Sequence, residues 1–337
     1  MARSLHLHIG MPKAASTSLQ ALLLANRAAL QERGFAYPVP VPGKTIGNAI
    51  PLSLHFNRSS PAAAQFRFHN PGVLDFTDVW DFFERNYPVQ DGGTLILSSE
   101  GFCHSVPGDA CRQLLDRFET VKIHLVLRPK LFWLESHYFQ RLKTGNLRGE
   151  LAALLDQGAF DDRITTLLDY AGTYAFWSGL AGAGNIHLHF LGSRFGAIRS
   201  QFLQALLGEE PPGFTDPPPQ NEAAPAAFLA ALSSLTPAPP DTAAHWQASR
   251  RILGCVQELG LTAKASVLTP EICSRLAGRF DADDRAFAAM QDRITLADLQ
   301  PAPGARAQSA TTLEAVRRTE GYARLRRSLQ DRFGLAV

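Results

Sequence analysis

The chain opens with a strand, a tight loop of small residues and a helix in direct succession, and that order limits the folds open to it. Residues Ser4 to Ile9 alternate, with Leu5, Leu7 and Ile9 on one side and His6 and His8 on the other. That is the two-residue period of a strand. Gly10 to Ser18 then reads Gly-Met-Pro-Lys-Ala-Ala-Ser-Thr-Ser, a turn. From about Ser16 the spacing of Leu19, Leu22, Leu23, Ala29 and Leu30 predicts a helix, and Gly34 suits its C′ position. Phe35 to Tyr37, before Pro38, predicts a second short strand. Strand, loop, helix, strand is one βαβ unit, so the predicted class is α/β, with a central parallel sheet flanked by helices.

The alternation continues downstream. Residues 38–75 are rich in Pro, Gly, Asn and His and read as loop with one short helix at most. Asp78 to Asn86 predicts a helix, and Thr94 to Ser98, after Gly92-Gly93, a buried central strand. Asp109 to Phe118 reads as a helix and Val121 to Leu127 as a strand ending at Arg128-Pro129. Pro129 suits the first position of a helix from Lys130 to about Thr144. A helix near Ile164 to Ala181, a strand from Ile186 to Phe190 and a helix from Gln201 to Leu207 follow. Proline-rich breaks at 211–219, 237–240 and 301–304 divide a largely helical second half. The expected organisation is a core over 1–207 and a mainly helical C-terminal extension over 208–337, packed on the same domain.

Composition excludes several classes. With 45% hydrophobic and only 19% charged residues, the chain can bury a sizeable core, which excludes wholesale disorder. A net charge of +2, from 33 basic and 31 acidic residues, is unlike a dedicated nucleic-acid binder, so no nucleic-acid partner is expected. Cys103, Cys111, Cys255 and Cys273 show no CxxC spacing, so neither a disulfide scaffold nor a cysteine metal site is expected. Apolar runs such as Ala21 to Ala25 fall far short of the ~18 residues that span a bilayer, and His6, His8 and Lys13 interrupt any signal-peptide core. The expectation is a cytoplasmic protein without a transmembrane segment.

Two motifs carry chemistry. The first is the loop between strand and helix, where backbone N–H groups and the helix dipole favour an anion. Gly10, Pro12, Lys13, Ala14, Ala15, Ser16, Thr17 and Ser18 are its candidate anion-binding residues. It is not a P-loop, because Lys13 follows Gly10 by three positions with no second glycine. The other reading is an ordinary strand-to-helix turn with an N-cap serine. The second motif is Arg128 at a strand end with Ser136 eight residues later and Tyr138 beyond it. Eight residues are a little over two helical turns, so Ser136 can share a face with the helix start. The pair either holds a phosphate or is a sheet-edge arginine with a core-facing serine.

Together and in this order the motifs resemble the 3′-phosphoadenosine 5′-phosphosulfate (PAPS)-dependent sulfotransferases. That family's loop, Lys-Thr-Gly-Thr-Thr/Ser, often after His-Ile-Gly in bacterial members, corresponds to His8-Ile9-Gly10 and Lys13-Ala14-Ala15-Ser16-Thr17-Ser18. Its Arg-x7-Ser-x-Tyr element corresponds to Arg128, Ser136 and Tyr138. Similarity also lies in Gly34 to Pro38, Leu95 to Gly101 and Tyr170 to Phe190, and more faintly in Asn221-Glu222. Ala14-Ala15 departs from the family's Thr-Gly, removing a hydroxyl donor and backbone freedom.

The resemblance implies the P-loop NTPase-like sulfotransferase fold, PAPS as donor, adenosine 3′,5′-bisphosphate as product, and no metal. It implies that the loop holds the 5′-phosphosulfate, that Arg128 and Ser136 hold the 3′-phosphate, and that Lys13 supplies charge at the leaving oxygen. A base near the third strand's end is also implied; Glu100 is the first candidate and His104 stands behind it. Glu100 is otherwise a loop carboxylate paired with a nearby cation. Ser98 and Ser99 are candidate donors to cofactor or acceptor, and His8 reads as packing beneath the loop. His55, Arg58, Arg67 and His69, and Arg141 to Arg148, form a candidate acceptor wall. The expected acceptor is a hydroxyl of a carbohydrate, glycolipid, other glycoconjugate or small molecule. The alternatives are a divergent P-loop nucleotide kinase-like phosphotransferase and a catalytically silent nucleotide-binding scaffold. The basic, amphipathic segment with Arg317, Arg318, Arg324, Arg326 and Arg327 is either a helix closing the domain or a site of peripheral membrane or partner contact.

Overall fold

The computed structural model describes residues 3–40, 47–60, 63–64, 66–67, 72–103, 106–160, 166–192, 195–218, 224–236, 241–300 and 312–337. His69, His104, Asn221, Glu222 and the breaks at 237–240 and 301–304 lie outside them. Two compact units emerge. The first comprises residues 1–128, 169–220 and 286–295, and the second 129–168, 221–285 and 296–337.

In the first unit, β1 (Ser4–Gly10), β2 (Phe35–Ala36), β3 (Thr94–Ser98), β4 (Thr120–Leu127) and β5 (Ile186–Phe190) form a parallel sheet in the order β2-β3-β1-β4-β5. The predicted α/β class with helices flanking a parallel sheet is therefore observed. Parallel sheets are covered on both faces, which explains the continuous burial of Leu95 to Leu97 and of Leu125 to Leu127. β1 follows the same rule. Its Leu5, Leu7 and Ile9 are buried on one face, and so are His6 and His8 on the other.

The helix read from Ser16 to Gly34 is two helices, α1 (Ser16–Ala25) and Arg27–Glu32. The break is at Asn26, whose side-chain amide donates to Leu22 O (2.8 Å) and to Thr215 O (2.9 Å). Gly34, at φ +82°, turns the chain into β2 and accepts from Thr94 N. Since β2 ends at Ala36, Asn48 continues the edge of β3: its side chain donates to Ile96 O and accepts from Ser98 N, both at 2.8 Å. The helix Ile50–Phe56 follows directly. Asp78 caps Val79–Asn86 by accepting from Trp80 N and Asp81 N. The last helix of this stretch, Phe195–Leu207, starts six residues before the predicted Gln201.

The second unit is helical. Pro129 is the residue before the helix Lys130–Lys143, not its first. Lys130 is buried with Asp284, 2.7 Å away, and with Asp283. In Glu320–Phe333 the apolar face of Tyr322, Leu325 and Leu329 is buried, while Arg324, Arg326 and Arg327 are exposed. This segment packs its apolar face within its own unit. No described helix is long and apolar enough to cross a membrane.

Candidate active site at the carboxyl end of the first unit's sheet

The loop leaves β1 at its carboxyl end, where ligands bind in open α/β sheets. Gly10 is required there twice over: its φ is +102°, and a Cβ on it would lie 3.3 Å from the Glu100 Cα. Met11 N donates to Val126 O (2.9 Å) and Ser99 N to His8 O (3.0 Å), so the ends of β1, β3 and β4 are tied together. Ala14 is fully buried and its N–H donates back to Met11 O, as does the Ser16 hydroxyl (2.8 Å).

Lys13 and Ala15 both adopt left-handed backbone, at φ +62° and +67°. Each costs about 1–2 kcal/mol for a residue with a Cβ. Glycine would adopt the Ala15 conformation at less cost. Ala15 also occupies the N-cap of α1, which has no side-chain cap. The expected N-cap serine is corrected, since Ala15 is the N-cap and Ser16 the first helical residue. The first N–H groups bonded back to Ala15 O are those of Ser18 and Leu19, both at 3.0 Å. The Ser16 and Thr17 amides therefore open the helix at its positive end.

Arg128 reaches across from the end of β4, donating from Nη1 to Lys13 O at 2.7 Å. Tyr170 holds Arg128 in turn, its hydroxyl donating to Arg128 O at 2.8 Å. Glu100 begins a short 3-10 turn whose Gly101 N donates to Ser99 Oγ. Loss of hydration raises the Glu100 carboxyl above its ordinary value, while the nearby Ser16 hydroxyl and the charge of Lys13 act in the opposite direction. Lys13, Ser16 and Glu100 thus meet at the opening of α1.

Other predicted residues have different places. Ser98 is fully buried and bonded to His8 Nδ1 (2.7 Å) and Gln20 Nε2 (3.1 Å), and Ser99 to Ser53 Oγ (2.6 Å). Both strand-end serines are engaged within the protein. His8 packs beneath the loop as expected, 1% exposed. Ser136 lies half-buried on Lys130–Lys143 in the second unit, where Tyr138 is fully buried and donates to Gly149 O (2.8 Å). In the acceptor-wall region, the His55 and Phe76 rings stack at 4.6 Å, and Arg67 donates to Arg58 O at 3.2 Å. No group of three or more His, Cys, Asp or Glu side chains that could hold a metal ion occurs among the described residues.

Sequence reasoning did not single out Gln20, Asn48 or Tyr170. Gln20 carried a signal, falling one turn after Ser16 on the same helix; Asn48 acts across a long separation and carried none, and Tyr170 was named only as the start of a similar segment. The chain matches no family model, no curated protein and no solved structure.

Proposed function

We propose that the chain is a sulfotransferase that moves the sulfuryl group of PAPS to a hydroxyl of a carbohydrate or glycoconjugate. The observation that carries this reading is the meeting of Lys13, Ser16 and Glu100 at the N-terminus of α1, in a loop whose backbone Arg128 holds. Amides at a helix start, a lysine, an arginine and the Thr17 and Ser18 hydroxyls are donors suited to phosphate and sulfate oxygens. PAPS itself is assigned from the motif resemblance.

On this reading the acceptor oxygen bonds to sulfur as the bond from sulfur to the phosphate oxygen breaks. Glu100 takes the hydroxyl proton, and the Lys13 ammonium offsets the charge that grows on the leaving oxygen. The raised Glu100 carboxyl supports the base role, because a stronger base removes a hydroxyl proton more readily. The loop and Arg128 supply positioning, which is most of what a protein contributes to such a transfer.

A second reading rests on Ala14. It is fully buried where the resembling loop has threonine, which favours a silent nucleotide-binding scaffold. Incubation with PAPS and a panel of saccharide acceptors separates the two. Sulfated product from wild-type protein, absent with Lys13→Ala, supports the transferase. Binding of adenosine 3′,5′-bisphosphate with no product from any acceptor supports the scaffold.

A further inference from the structure

Three neighbouring strands of the first unit set histidines on one face of the sheet. The parallel register puts His8 of β1 beside His124 of β4, and His124 beside His187 of β5. His6, His8, His124 and His189 are 6%, 1%, 0% and 2% exposed, whereas His187 is half-exposed. His6 Nδ1 lies 2.8 Å from His124 Nε2, and His124 Nδ1 lies 3.0 Å from His189 Nε2. These contacts form a hydrogen-bonded row across β1, β4 and β5. Its rings stack, with His124 5.0 Å from His6 and 5.2 Å from His189 between centroids. His8 bonds to Ser98, and its buried Nε2 has no hydrogen-bond partner among the described residues. Phe202 covers His8, His124 and His189, and Phe35 packs on His6.

The row is satisfied by neutral rings. Each neutral imidazole has one N–H and one acceptor nitrogen, so His124 donates to one neighbour and accepts from the other. Two added protons would force two N–H groups to face each other across one of the bonds. The charges acting on the buried rings come from Lys122 of β4, from Arg293 of the 286–295 segment and from the other imidazoles, none of them a carboxylate. Burial first, then Lys122 and His187, lower His6 to about 3, and burial first, then His8, His187 and Arg293, lower His189 to about 3. Burial alone lowers His8 to about 4, and burial with its imidazole neighbours holds His124 well below its ordinary value.

We propose that this layer is an acid-triggered switch built into the fold: as pH falls below about 6.5, protonation of the rings in the opened state withdraws the stability of the neutral row joining β1, β4 and β5, so that the first unit opens together with the loop that β1 carries. The sign follows from the depressed folded-state values. The unfolded rings titrate near 6.5, so the stability they carry is fully present above that pH. It is lost as pH falls from there toward about 4. Four rings taking up protons together lower the folding constant by up to roughly 10⁴-fold per pH unit in that window. The switch is independent of the proposed reaction, because it acts on the sheet and not on a substrate.

The test is proton uptake during urea unfolding of the full chain in unbuffered solution at pH 5.5 and at pH 7.5. The expected result is about three to four more protons taken up per chain at pH 5.5, with about one fewer in each of His124→Gln and His189→Gln. The urea midpoint of the wild type falls from pH 7.5 to 5.0, and falls less in the variants. If neither variant folds, the wild-type count alone decides. One additional proton or fewer at pH 5.5, or variants that unfold with the wild-type count, overturns the proposal.

Discussion

The loop at the carboxyl end of the sheet and the histidine layer beneath it share β1 and β4, yet they hold ionisable groups by opposite means. In the loop, Lys13 acts against Glu100 beside a helix N-terminus, and Arg128 bonds to a carbonyl. Charge has partners of opposite sign there, and the cost falls on the backbone, at Lys13 and Ala15. In the layer the rings stand on strands, and the only charges acting on the buried ones are those of cations and of the other imidazoles. They are held neutral. The contrast assigns the two regions different pH responses. On the proposed function the loop's chemistry depends on a carboxylate that must lose its proton, and on the proposed switch the sheet's integrity depends on imidazoles that must not gain one.

Glu100→Gln gives the largest expected effect. It is expected to leave adenosine 3′,5′-bisphosphate binding intact and to lower turnover by at least about 100-fold, the lower end for a lost general base. Wild-type activity is expected to fall on the acid side above the ordinary carboxylate range, because Glu100 is raised. Its pH–rate profile checks this, and an acid limb at an ordinary carboxylate pH would remove Glu100 from the role. Proton uptake on unfolding is expected to keep its histidine component in this variant, which separates the loop from the layer.

The second unit shows what the layer lacks. Lys130 and Asp284 are each 1% exposed and pair directly, with Asp283 beside them. Lys130→Met strands a buried carboxylate and is expected to cost about 3–5 kcal/mol near neutral pH by urea unfolding. A cost near zero would mean that the pair contributes nothing over an apolar contact.

Arg128→Ala is the next step down. Loss of a charged donor to Lys13 O is expected to cost about 1.5–3 kcal/mol and to weaken bisphosphate binding, read by urea unfolding and by titration. Smallest is Ala15→Gly. Relief of the left-handed Ala15 backbone is expected to add about 1 kcal/mol, a rise in Tm of about 2–4 °C, by calorimetry. A loss of stability there would show that φ +67° at Ala15 carries no strain.

What the sequence disclosed follows the same division. β3 and β5 have their predicted limits because each is a short apolar-rich run with turn residues before it. The loop was legible because its parts are consecutive, and Glu100 because it follows a strand end. Arg128 bonding to Lys13 O joins residues 115 apart, and no local pattern encodes that bond. The histidine layer was hidden for a different reason. Alternation in β1 set His6 and His8 apart from the apolar face, and although His8 reads as packing beneath the loop, nothing in the spacing shows that a sheet covered on both sides buries His6 as well. The pairing of His6 with His124 and His189 depends on strand order, which spacing does not contain.

The central claim is that the loop at β1 receives a doubly phosphorylated adenine nucleotide through Lys13 and Arg128. The most direct measurement is the melting temperature with adenosine 3′,5′-bisphosphate, AMP, ADP and ATP, each with and without Mg²⁺, since a ligand that binds the folded state raises it by mass action. The account predicts stabilisation by the bisphosphate without Mg²⁺, absent in Lys13→Ala and Arg128→Ala, and little from the others. Stabilisation by Mg-ATP alone would contradict it.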